Sequence, residues 1–312
     1  MHWHYDQGQI VRKLKGEADG PLQALAGFLF KDASPLDLAA LKPEFHEPPE
    51  NMFYKYASGA LSPYGDEALG CVRSVAKHGA LDPQQYAADS YAEMSAYTGR
   101  LNGSSKEFLA NYAAGKRWPE CGAASDTQAN CLVRVPALVA RYAGTGKLND
   151  AVADAVRVHQ AAQPAADYAI AFSNVLERVV LGAAVADALK WAAFDSSSPL
   201  YDENRKEVQD ALAELGEDPR AIVSRYGLSC SLPGPWTGPL ALAYSAEGEF
   251  EEAVRSNIVG GGDNCSRAAV VGALAGAAGG MEGLPKSWAA KVTGWAELEA
   301  LADKIVADRA YE

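Results

Sequence analysis

The stretch 260-GGGDNCSRAAVVGALAGAAGG-280 decides how this chain is read. Asp263 and Ser266 stand where a helix start wants a capping oxygen, and a helical pattern follows over 266–279. Gly272, Gly276 and Gly280 recur every four residues. Each glycine costs about 1 kcal/mol against alanine inside a helix, so the stripe predicts a central helix closely approached by a neighbour. The apolar run is too short for a membrane-dimer helix and is soon followed by Pro285. Three glycines before Asp263 exceed what a cap needs and allow a ligand close to the backbone, which predicts a binding loop.

Outward from this stretch, helical periodicity dominates. In 66-DEALGCVRSVAKHG-79 the apolar residues Ala68, Leu69, Val72, Val75 and Ala76 fall on one face, which predicts a helix starting at Asp66 and stopping at Gly79. Similar patterns predict helices near 82–97, 128–143, 149–160, 164–193, 203–214, 237–245, 248–256, 266–279 and 295–308. Breaks fall at 43-PEFHEPPEN-51, 58-SGALSPYG-65, 102-NGSS-105, 118-WPECGAASD-126, 196-SSSP-199 and 231-SLPGPWTGP-239. None is a long linker, and strand alternation is scarcely visible. The expectation is an all-α, compact, single-domain multi-helix bundle over residues 1–312.

Composition excludes several function classes. No apolar run approaches the roughly 20 residues that span a bilayer. A net charge of −12 argues against nucleic acid or an anionic membrane as partner. The opening residues lack a signal peptide's basic start and apolar stretch, so a soluble, cytoplasmic protein is expected. The five cysteines are scattered without CxxC spacing and predict neither a disulfide framework nor a structural zinc site.

A second polar cluster, 64-YGDE-67, also precedes a predicted helix. Capping alone accounts for the acidic and hydroxyl residues of either cluster taken singly. The two together resemble something more specific. The segment 260–280, followed by Leu284-Pro285 and Trp288, resembles the carboxyl-terminal signature of the ADP-ribosylglycohydrolase family. That signature runs Gly-Gly-Asp-Thr-Asp-Thr, a Gly-Ala-rich helix, then Ile-Pro and Trp. The 64-YGDEAL-69 segment lies where the family carries Thr-Asp-Asp-Thr, and 125-SDTQANCLVRVP-136 resembles its Asn-Gly…Met-Arg-Val…Pro stretch. The segments 2-HWHYD-6 and 43-PEFHEPPENMFY-54 are most similar to the J-type crystallin branch.

The resemblance implies a cleft in which carboxylates hold two Mg²⁺ ions that position a ribose and activate water. By that alignment Asp66, Glu67, Asp263 and Ser266 are the implied metal ligands, sufficient for one ion rather than two. No cofactor at all is an equal alternative. Gly65, Ala68 and Cys265 stand where the family has two threonines and a carboxylate, and sulfur is a poor partner for Mg²⁺.

Asp66, Glu67 and Cys265 are the catalytic candidates. Cys265 at a helix start near Arg267 is expected either to have a lowered thiol pKa or to be a buried small residue. Asn130, Gln128, His159, Tyr64, Trp3 and Arg267 are the substrate-binding candidates; Asp126 is equally an N-cap, and Trp236 either stacks on a ligand or packs. His2 and His4 suit a metal only if their segment is extended. The functions carried forward are hydrolysis of a glycosidic bond in an ADP-ribose-type conjugate, a non-catalytic crystallin-like structural or ligand-binding role, and a metal-independent enzyme acting on a small metabolite.

Overall fold

The computed structural model describes residues 2–17 and 36–307, and among these the architecture is all-helical, with isolated β-bridges and no sheet. No helix among the described residues is long and apolar enough to cross a membrane. One hydrophobic core runs from Cys71 to Ile305.

The helix Asn264–Gly279 lies at the centre, against Gly234–Ser245, Phe250–Val259, Gln163–Val180 and the 3₁₀ turn Ala129–Arg134. Its buried residues Val270, Val271, Leu274 and Ala275 make that packing. The glycine stripe does not. A methyl group at Gly272 would meet nothing within 4 Å, and one at Gly276 would reach only the Phe250 ring at 3.9 Å. The predicted close approach on the glycine face is therefore corrected, because the apolar face carries the contact.

Local chemistry sets the helix ends. Pro63–His78 begins three residues before the predicted Asp66 start: the Ser62 hydroxyl accepts from the Gly65 N–H at 3.2 Å, and Pro63 supplies a pre-set φ. Asp66 and Glu67 thus sit in the first turns rather than capping them. The predicted 164–193 helix is two helices, Gln163–Val180 and Val185–Phe194, parted at Gly182, whose φ of +102 ends the first. The 102-NGSS-105 break starts a helix, Gly103–Ala113, because Asn102 caps it through the Ser105 N–H at 2.8 Å. Similarly, the 231–239 break gives way to Gly234–Ser245, which contains Pro239.

Candidate functional site

The starts of Pro63–His78 and Asn264–Gly279 are brought together by the N-terminal segment. The Trp3 N–H donates to the Gly262 carbonyl at 2.8 Å, and the Gly262 N–H donates back to the His4 carbonyl. Gly261 and Gly262 hold φ of +69 and +61, and a Cβ on Gly261 would lie 2.7 Å from the His4 oxygen. The predicted close approach at the glycine loop is made by the chain's own backbone.

Asp263, fully buried, caps its helix through the Ser266 N–H at 3.3 Å. Its carboxylate also accepts from His2 Nε2 at 2.7 Å on one oxygen and from Tyr64 OH at 2.7 Å on the other. The opposite His2 nitrogen, Nδ1, faces Tyr54 OH. Burial outweighs the attraction of Asp263 and lowers the His2 pKa, so the neutral ring fits, donating from Nε2 and accepting at Nδ1.

Glu67 lies in a second nest. It accepts from Asn130 Nδ2 at 3.2 Å on both oxygens, from Arg134 Nη2 at 3.2 Å, from Ser105 Oγ at 3.2 Å and from Asn102 Nδ2. Arg134 is fully buried and also donates to Tyr86 OH at 3.0 Å. Burial pushes the Glu67 carboxyl above the ordinary range despite that cation. Asp66 turns elsewhere: partly exposed, it accepts from Tyr97 OH at 2.6 Å, and its carboxyl is raised by burial.

Two clefts flank Pro63 and Arg100. One, of about 200 Å³, is lined by Trp3, Tyr64, Gln128 and Asn130, with Asn102 and Cys230. The other, of about 320 Å³, is lined by Asp66, Glu67, Arg73 and Tyr97. Arg100 is exposed and shared by both.

Four of the six predicted binding residues thus meet in one cleft. His159 does not: it is fully buried, its ring 4.6 Å from Phe108 and 5.4 Å from Tyr86 between centroids. Burial and nearby Arg134 hold its pKa well below the ordinary value. Arg267 is also buried, tied to Asn257 Oδ1 at 3.0 Å and to the Gly261 carbonyl, so it fastens the glycine loop. Trp236 packs in the core against Phe172.

Cys265 borders a separate, largely apolar cavity with Tyr54, Ser62 and Ala269. Burial, then the neighbouring Asp263 charge, pushes its thiol up to about 12, the opposite of the shift expected at a helix start. Desolvation here exceeds the helix-dipole effect.

Arg134, Asn102, Arg100, Tyr97 and Tyr54 were not among the predicted site residues. Arg134 had a readable signal, a lone cation in the apolar run 131-CLVRVPALVA-140. Asn102 had one too, read as a break rather than a cap. Tyr54 closes the 43–54 segment already quoted for its resemblance, and Tyr97, in a loop, had no signal.

The residues do not fit the implied metal pair. Asp263 is saturated by His2, Tyr64 and Ser266, Glu67 by Arg134 and three side-chain donors, and Asp66 opens into the other cleft. Ser266 is buried with its hydroxyl on the Asp263 carbonyl at 2.9 Å. His2 and His4 also diverge, His4 meeting Glu50 at 2.7 Å. Among the described residues no group of three or more His, Cys, Asp or Glu side chains could hold a metal ion.

An all-helical bundle with a Gly-Gly-Asp loop facing a Tyr-x-Asp-Glu helix start defines a class, and the ADP-ribosylglycohydrolase family model matches residues 3–312. The chain belongs to the ADP-ribosylglycohydrolase family. It is similar to two crystallins of Tripedalia cystophora. Crystallin J1A is 23% identical over 317 residues, covering 98% of this chain and 90% of that protein. Crystallin J1B is 24% identical over 277 residues, covering 85% of each. Among solved structures, an ADP-ribosylglycohydrolase-related protein complex shares the fold with a TM-score of 0.66 at 23% identity, covering 85% of this chain and 91% of that one.

Proposed function

We propose that this protein is a hydrolase that acts on the glycosidic bond of an ADP-ribose-type conjugate seated across the two clefts beside Arg100. The observation that carries this reading is the convergence of Trp3, Tyr64, Gln128 and Asn130 on one cleft, with Asp66 in the cleft next to it. The aromatic rings offer stacking faces, the amides hydrogen bonds to ribose hydroxyls, and exposed Arg100 a cation for phosphate. Asp66 is the acid–base group: it is open to the cleft, and burial raises its pKa above the ordinary carboxylate value, the direction general acid–base work requires. Glu67 is a positioning residue that holds Asn130 through both its oxygens.

A second reading, a non-catalytic ligand-binding protein, is favoured by the likeness to the J1 crystallins and by the saturated state of Asp263. Incubation with ADP-ribosylated protein and small-molecule conjugates, followed by measurement of released ADP-ribose, separates the two. Turnover lost in Asp66→Asn supports the hydrolase. Calorimetric binding of ADP-ribose without turnover supports the second reading, and neither binding nor turnover removes both.

A further inference from the structure

We infer that the N-terminal segment His2–Tyr5 is a working part of the cleft and that His2, with Tyr64, takes the place of a divalent cation on Asp263. The geometry is built for it. The backbone of Trp3 and His4 pairs with Gly262, and the His2 N–H donates to the Glu50 carbonyl at 3.1 Å, so the segment is held from both sides. This fixes His2 Nε2 on one oxygen of Asp263 while Tyr64 takes the other. Tyr54 holds the far side of the imidazole, which fixes its orientation.

A hard cation approaching Asp263 would have to displace its two side-chain hydrogen bonds in a fully buried site and would find Cys265, not a carboxylate, two residues on. At Glu67 the Arg134 guanidinium already supplies the opposing charge at 3.2 Å. The segment that seals Asp263 also places the Trp3 ring in the cleft wall, so ligand site and seal are one unit.

The inference rests on the reading of this cleft as the ligand site, yet cation binding is measured with no ligand present, so the two can fail separately. The probe is Mn²⁺ alone, added to the full chain and followed by the electron paramagnetic resonance of the free ion. The expected result is that added Mn²⁺ stays free to about 1 mM, and that about 10 mM Mg²⁺ moves Tm by less than about 1 °C relative to chelator. His2→Ala should lower Tm by roughly 3–8 °C, because it removes the nearer of the two donors on a buried carboxylate oxygen and leaves only the Ser266 N–H at 3.3 Å. His2→Gln, which can donate from a similar position, should recover part of that loss.

Stoichiometric Mn²⁺ binding that disappears in Asp263→Asn overturns the inference. A clear rise in the wild-type Tm on adding Mg²⁺ does so without any variant, and so does an unchanged Tm in His2→Ala. ADP-ribose release that persists in chelator supports both the inference and the hydrolase reading. Release that requires Mg²⁺ leaves the hydrolase standing and removes the inference.

Discussion

Asp263 and Glu67 are both buried carboxylates near helix starts, and the fold stabilises them in different ways. Asp263 is met by hydrogen-bond donors, one from a segment some 260 residues away in sequence. Glu67 is met by a guanidinium and by amides. A charge facing a charge in a low-dielectric interior is costly to break from either side, whereas removing one neutral donor costs a single hydrogen bond. The two motif clusters of the family therefore carry unequal structural weight in this chain.

The largest expected effect follows from that inequality. Arg134→Ala leaves Glu67 buried without its counter-charge and should cost about 3–5 kcal/mol in urea unfolding. Asp263→Asn keeps the volume, removes the charge and turns one acceptor oxygen into an NH2 donor facing His2 or Tyr64, and it should cost about 1–3 kcal/mol by the same measurement. If Asp263→Asn proves the more damaging, His2 is charged in the fold and the contrast fails.

Tyr97→Phe tests the third carboxylate, which is partly exposed, and should cost about 0.5–1.5 kcal/mol. The Tyr97 hydroxyl favours the ionised form of Asp66, so its loss should raise the Asp66 pKa further. A raised carboxylate contributes stability that is present below its unfolded pKa of 3.8 and lost as pH rises through the folded value. The pH at which wild type loses stability relative to Asp66→Asn should therefore move upward in the Tyr97→Phe background, as read from unfolding free energies across the acid range.

The smallest effect concerns the helix that follows Asp263. Gly272→Ala, where a methyl group meets nothing, should stabilise the protein by about 0.4–1 kcal/mol. A loss of stability would show that the glycine face is in contact after all. Alanine at Gly262 would instead collide with the Leu228 carbonyl at a φ of +61, so glycines ten residues apart in one motif answer to different constraints.

The fold class was legible in the sequence because a helix writes its burial into residue spacing, and the order of the Gly-Gly-Asp and Tyr-x-Asp-Glu motifs carries the family. Trp3, Tyr64, Gln128 and Asn130 were each readable as candidates from the motif segments, and the fold brings them to the wall of one cleft. The orientation of the carboxylates was not. Asp66 and Glu67 are neighbours in sequence, but consecutive helical residues point about 100° apart, so one faces Tyr97 and the other Arg134.

Cys265 shows the same limit: position at a helix start predicts a lowered pKa, and only packing reveals that burial outweighs it. Sequence by itself determined the helices, the family and the residue types at the cleft. Tertiary structure alone decided which donors saturate Asp263 and Glu67, because those partners come from segments whose separation in sequence says nothing of their distance in space.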